Sequence, residues 1–245
     1  SSAASDVYKR QIRDSLGFAN YHLYKRFLPK GNRILIYHAF GSKLKHDTYG
    51  ISINLDNFET HLKYISDNYQ ITDINDYSDN QTTVSLTIDD GYKCTLDAID
   101  LLAKYNVTFS LFITTDFINK QGYLTKKDIL EIAQLDISHI GSHCRSHTRL
   151  ADLNRFMQEQ EIIKSKEYIE DIISKKIERI SYPHGSFNDI TIDLMSKSGY
   201  EYGLCSKKDF NHSDTNRYIL NRSEIISKDR VSNLKRKIQG YYDYY

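Results

Sequence analysis

Short apolar runs, most of them rich in β-branched residues, recur along the chain and alternate with stretches of helical periodicity. Ile34 to Tyr37, Val84 to Ile88, Thr108 to Ile113, Ile137 to Gly141, Ile177 to Tyr182, Tyr202 to Cys205 and Ile219 to Ile226 read as strands. Between them, three groups stand at helical spacing: Phe58, Leu62 and Ile65; Leu96, Ile99, Leu102 and Ala103; and, in the longest, Ile162, Ile163, Ile169, Ile172 and Ile173. Seven or so strands alternating with helices imply an α/β fold with a mostly parallel sheet, which at this length makes a complete or partial (β/α) barrel. In such folds chemistry belongs at the C-terminal ends of the strands.

The 245 residues, 40% hydrophobic and 27% charged, have the composition of a globular domain, which excludes a disordered or fibrous chain. Only two prolines and 11 glycines occur and no linker-like run divides the sequence, so one domain is expected from about Arg33 to about Lys237. A formal charge of +1 supplies no field for a polyanion, so no nucleic-acid partner is expected. No segment reaches the roughly 18 to 20 apolar residues of a membrane-spanning helix. Three cysteines, none in a CxxC pair, make no disulfide framework. Residues 1–14 (SSAASDVYKRQIRD) lack the apolar centre of a secretory signal, and their start resembles a translated sequencing-adapter tail. They are expected to be non-native, with the natural N-terminus and any export signal missing. The abrupt ending at Tyr244 and Tyr245 suggests a truncated C-terminus as well.

Five segments carry chemistry. In Ser85 to Gly91 (SLTIDDG) an apolar strand runs into Asp89 and Asp90: either a turn brings both carboxylates to one site, one on a metal and one as a base, or Asp-Asp-Gly caps a helix starting near Lys93. In Ile140 to His147 (IGSHCRSH), His143 and His147 are spaced to meet on one face of a helical turn and share a divalent ion, or are two surface histidines; Cys144 should point away from that face. One carboxylate and two imidazoles together leave a fourth position for water, the open arrangement of a hydrolytic metal site. In Ile180 to Asn188 (ISYPHGSFN), Pro183 and Gly185 fix a sharp turn that either aims the His184 N–H into a cleft as an oxyanion donor or forms an ordinary loop capped by Asn188. His38, closing Ile34 to His38, is a general acid or a hydrogen-bonded rim residue. Arg222, in Leu220 to Glu224 (LNRSE), pairs with a catalytic carboxylate or makes a structural salt bridge at the barrel end.

In this order the segments resemble the polysaccharide deacetylase family, also called NodB-homology or carbohydrate esterase family 4, from Ile34 to about Ile226. TIDDG is similar to the family's TFDDG, and HCRSH to its H-[ST]-x-x-H metal motif with Cys144 at the Ser/Thr place. The resemblance implies a distorted or incomplete (β/α) barrel of about seven parallel strands. It also implies a hydrolase that removes acetyl groups from sugars with a divalent metal, usually zinc. Asp89 would then be the catalytic base, and Asp90, His143 and His147 the metal ligands, with Tyr182, Pro183 and His184 facing the substrate and oxyanion. Two departures stand out. The arginine expected two residues before the Pro-Tyr-Gly turn is Ser181, with His184 at the Tyr place, and the final histidine motif is replaced by LNRSE. Both resemble the rearranged branch containing the poly-N-acetylglucosamine deacetylases of biofilm matrices and capsules, in which the first strand supplies the acid. That makes His38 the acid and Arg222 the replacement for the missing arginine. The expected function is N-deacetylation of an N-acetylglucosamine-containing glycan at the cell surface, outside the cytoplasm by family resemblance. The alternatives are an O-acetyl glycan esterase and an inactive carbohydrate-binding domain. The glycan, its length, the native metal and the oligomeric state are not legible.

Overall fold

The structure is a computed structural model that describes residues 30–76 and 79–243; the tail read over residues 1–14, Tyr244 and Tyr245 lie outside them. The chain lays down β1 (Asn32–Tyr37), a short parallel pair β2 (Ala39–Phe40) and β3 (Ser52–Ile53), helix α1 (Leu55–Asn68), β4 (Gln70–Ile71) and β5 (Thr83–Ile88). It continues through α2 (Thr95–Lys104), β6 (Phe109–Ile113), α3 (Lys126–Ile132), β7 (Ser138–Ser142), α4 (Arg155–Ile173) and β8 (Arg179–Ser181). After these come α5 (Asp189–Lys197), β9 (Tyr202–Leu204), β10 (Arg222–Glu224) and α6 (Val231–Ile238). Seven strands run in the order β10, β1, β5, β6, β7, β8, β9, all parallel, with β4 beside the start of β5. A parallel bridge between Leu204 and Leu220, with the Cys205 N–H donating to the Leu220 carbonyl at 2.9 Å, brings the sheet's ends together into a nearly closed barrel. These seven are the strands that the apolar runs predict. β2, β3 and β4, of two residues each, are too short to leave a periodic signal.

The predicted helices are present, with two corrections. Ala103 is exposed, and α2 buries Thr95, Ala98 and Leu102 instead. That helix begins at Thr95 rather than near Lys93, and no side chain caps it, so the two aspartates are free of the capping role. The helices α3, α5 and α6, which the sequence left unread, are short, and α6 buries only Leu234 and Ile238.

Strand alternation sorts the side chains into two layers. Leu35, Leu86, Ile88, Phe109 and Leu111 join the main core with the helices, while Ile34, Phe112, Leu204 and Leu220 form a small apolar plug with Ile74. Inside the barrel Gly141 leaves no room for a methyl group, since a Cβ would lie 2.6 Å from the Phe112 ring and 2.8 Å from Arg179 Cγ. Polar groups fill much of the rest. Asn32 Nδ2 donates to the hydroxyls of Thr72, Thr83 and Ser85 at 3.1, 3.0 and 2.9 Å. Arg179 makes a two-pronged pair with Asp73 at 2.6 and 2.9 Å and donates to Ser110 at 2.8 Å. These buried donors find acceptors, as a polar interior requires.

His61 of α1 lies fully buried outside the sheet, between the Tyr37 hydroxyl (3.2 Å) and the Asp229 carbonyl (3.0 Å). Burial pushes its pKa from 6.5 down to about 4, against the pull of the Asp229 carbonyl and carboxylate. The folded state thus holds a neutral ring that the unfolded chain protonates below pH 6.5, so stability falls on acidification through that window. Between pH 7 and pH 5 this group should cost about 2 kcal/mol of unfolding free energy. Urea titrations of wild type and His61→Gln over this range should show the variant losing that part of the slope.

Candidate active site

The strands β1 and β5 pair with Tyr37 opposite Ile88, so they end level and deliver His38 and Asp89 to the same mouth of the barrel. Asp89 continues the inward alternation of Ser85 and Thr87, and its N–H donates to the Tyr37 carbonyl at 2.9 Å. Asp90 would point away in a continuing strand. Instead it takes φ 74° and Gly91 takes φ 78°, a left-handed corner that returns the second carboxylate to the site. Both aspartates are buried.

The two histidines also converge, by a route the sequence did not predict. His143 follows β7, its N–H donating to the Ile113 carbonyl at 2.8 Å, but residues 143–149 form an irregular loop and not a helical turn. Cys144 at φ 60° and His147 at φ 64° bend that loop back on itself. Cys144 is buried in the core cluster, away from the imidazoles, and burial raises its thiol pKa. The result is a compact triad: His143 Nε2 lies 3.3 Å and His147 Nε2 3.2 Å from Asp90 Oδ1, and the three ligand atoms fall within 4.8 Å of one another.

This donor set fits a divalent cation. Asp90 Oδ1 is buried and makes an in-line hydrogen bond to neither ring, although both nitrogens are near. His143 Nδ1 is 2.8 Å from the Ser181 carbonyl; a proton held there leaves the Nε2 lone pair free, the usual support for a metal-ligating histidine. Burial pushes the Asp90 carboxyl up, but the two imidazoles hold it well below the usual carboxylate range. Burial likewise opposes charge on His143, and the carboxylates of Asp89 and Asp90 overcome it, raising its pKa. The pocket therefore draws positive charge to the point between these groups, and two imidazoles with one carboxylate suit zinc.

Arg222 pairs with the Asp89 carboxylate. Fully buried on β10, it forms a two-pronged pair with Asp89 at 2.9 and 2.8 Å, and also donates to Thr87 Oγ1, to Ser181 Oγ and to the Cys205 carbonyl. Ser181 Oγ in turn donates to Asp89 at 3.0 Å. Burial raises the Asp89 carboxyl, but the charges of Arg222 and His143 and the bonds from Arg222 bring it below its ordinary value, so it is ionised. His38 is half-buried, with an unpartnered Nδ1, and stands near enough that charge on its ring pulls both carboxyls down.

The histidine turn presents a third left-handed corner, with His184 at φ 58° and Gly185 at φ 64°. Its closing bonds come from the N–H groups of Gly185 and Ser186, to Tyr182 and Pro183, and not from His184. The exposed His184 ring meets His147 edge to face at 4.6 Å between centroids. Pro183 is buried and acts on the site through the turn. Tyr182 borders the cleft, but its hydroxyl is bonded to the Tyr218 carbonyl at 2.8 Å and its ring packs over Gly203. Asn188 caps α5, as the ordinary-loop reading of that segment expects.

His38, Asp89, Asp90, His143, His147 and the His184 turn line one cleft of about 720 Å³. Its further walls were not legible as functional: Tyr92, Phe117 and Tyr123, with His46 and Tyr49 from the segment between β2 and β3. His46 Nε2 lies 2.7 Å from the Tyr92 hydroxyl, and Tyr92 stacks on Tyr123. Tyr49, 80% exposed, stands at the rim. Tyr92 follows directly on the DDG corner, which was the signal available for it; the loop bearing His46 has no periodicity to read.

The profile of the polysaccharide deacetylase family matches residues 76–203. YxkH of Bacillus subtilis is 29% identical over 202 residues, covering 78% of this chain and 70% of that protein. The poly-β-1,6-N-acetyl-D-glucosamine N-deacetylase of Staphylococcus aureus is 23% identical over 160 residues, 60% of this chain, and the chain spans 55% of that relative's length. The Streptococcus pyogenes deacetylase PplD, solved in complex with acetate, shares the fold with a TM-score of 0.74 at 22% identity, over 86% of this chain and 99% of that one. A polysaccharide deacetylase from Bacillus cereus does so with a TM-score of 0.75 at 22% identity, over 86% and 69%. The profile runs over more than half of the sequence and carries the cleft from Asp89 to the His184 turn, and on this match the chain belongs to the polysaccharide deacetylase family.

Proposed function

We propose that the protein hydrolyses the acetamido groups of an N-acetylglucosamine-containing glycan in a metal-dependent reaction, with Asp89 as base and His38 as acid. The observation that carries this reading is the convergence of three lone-pair donors, Asp90, His143 and His147, beside an ionised carboxylate that Arg222 pins in the same cleft. The likeness to the staphylococcal N-deacetylase supports the choice of glycan. The ion that those three residues would hold supplies, when bound, a Lewis acid for the acetyl carbonyl and a lowered pKa for water.

The chain's own groups account for the proton traffic. Asp89, with both oxygens held by Arg222 and one also by Ser181, is fixed in orientation and accepts the proton of the attacking water. His38, on the neighbouring strand end, gives a proton to the departing amine nitrogen, because an amide anion is too basic to leave unassisted. The N–H of His184, set by its left-handed turn, faces the developing oxyanion; one such donor is worth about 3 kcal/mol. The aromatic wall of Tyr92, Phe117 and Tyr123 offers faces on which a sugar ring stacks.

Acetate release from N-acetylglucosamine oligomers should vanish on chelation and return with zinc; release from O-acetylated glycans only would overturn the amidase assignment. Asp89→Asn should keep bound zinc while kcat falls about 10³-fold. His38→Gln should lower turnover of the amide by about 10²-fold and that of 4-nitrophenyl acetate far less, since that leaving group needs no proton. Arg222→Met leaves a buried carboxylate without its counter-charge, and chemical denaturation should show a loss of about 3 kcal/mol.

A further inference from the structure

The two imidazoles are not held alike. His143 is set by the barrel itself, through its N–H to Ile113 and its Nδ1 to the Ser181 carbonyl. His147 lies four residues further on, with a side chain 26% exposed, and reaches Asp90 only because the intervening loop takes its left-handed path. The residue within that loop which could have braced it, Cys144, turns its thiol into the core.

The bracing comes from helix α4. The Glu161 carboxylate, 5% exposed, accepts the N–H of Arg145 at 2.9 Å, the N–H of Ser146 at 2.8 Å and the Ser146 hydroxyl at 2.7 Å. Two consecutive N–H groups turned to one side form a concave anion seat, and a carboxylate filling it makes charge-assisted bonds, about twice the strength of neutral ones. From the opposite side, the N–H groups of Thr115 and Asp116 take the carbonyls of Cys144 and Arg145 at 3.2 and 2.9 Å. One helical turn beyond Glu161, Ser165 Oγ lies 2.7 Å from Ser142 Oγ, which accepts the Cys144 N–H at 3.0 Å. The backbone of Cys144, Arg145 and Ser146 is thus held from α4 and from the turn after β6; Asp116 also pairs with the Arg145 side chain at 3.3 Å, but that carboxylate is exposed and the one on α4 is buried.

We infer that Glu161 is a positioning residue for the metal centre, holding the loop so that His147 meets the same point as Asp90 and His143. This rests on the metal-site reading above. Glu161 touches neither substrate nor ion and acts through His147.

The test is zinc affinity of the purified protein, measured by competition with a chromophoric chelator, together with the visible spectrum of the cobalt-substituted protein. Glu161→Gln, which keeps the shape but removes the negative charge that the Arg145 and Ser146 N–H groups bind, should weaken zinc binding about 10- to 100-fold. It should also alter the cobalt bands. Glu170→Gln serves as control, because Glu170 on the same helix braces Lys166, Lys176 and the Ile177 N–H away from the site, and should leave zinc affinity unchanged. In a His147→Ala background the Glu161 substitution should cost no further affinity, a coupling that general destabilisation would not produce. Wild-type affinity and spectrum in Glu161→Gln, or additive losses in the double variant, would overturn the inference. Should Glu161→Gln fail to fold, Ser146→Ala removes the hydroxyl that bonds Glu161 and Thr148 while keeping the backbone N–H, and unchanged affinity there overturns it equally. A wild-type protein that binds no zinc would instead remove the metal-site reading itself.

Discussion

A guanidinium and a carboxylate meet inside this barrel, and much of the molecule is arranged so that they can. Taking both Arg222 and Asp89 out of water is expensive, and their attraction repays the cost only when every remaining donor and lone pair is used. Here they are: Arg222 spends its donors on Asp89, Thr87, Ser181 and the Cys205 carbonyl. Those partners lie on or just after β5, β8 and β9, while the arginine itself is on β10. The pair therefore spans the seam where β9 and β10 share little backbone pairing, and the contact that keeps Asp89 ionised is also one that closes the barrel.

The same network accounts for the family motif that is missing. Ser181 stands where the family pattern reads arginine, and a guanidinium reaches Asp89 from β10 instead, bonding Ser181 on the way. The serine is not a passive gap. It bonds both members of the pair, and its carbonyl faces His143 Nδ1, so one residue links Asp89, Arg222 and the His143 imidazole.

The seven strands were readable in the sequence because each is a run of apolar, largely β-branched residues, a pattern spread over several positions. Other features depend on single backbone corners. The meeting of His143 and His147 looked like helical geometry because spacing alone cannot distinguish a helical turn from a loop bent by two left-handed residues. The bidentate role of Arg222 was undecidable until the closure of the barrel set which strand end it faced. The cleft wall at His46 and Tyr49, and the brace from Glu161, arise from contacts between distant segments that leave no local periodicity.

Four of the non-glycine residues with positive φ, Asp90, Cys144, His147 and His184, belong to this one site. Each such conformation costs of order 1–3 kcal/mol and persists only because its surroundings over-determine it. The cleft is thus the place where the sequence stands furthest from its own thermodynamic optimum. A selection for heat resistance alone would find its gains at these corners first, by glycine or by relaxing the loops, and would trade the activity away for them. Variants chosen for robustness are better sought on the outer helices, where no such debt is held.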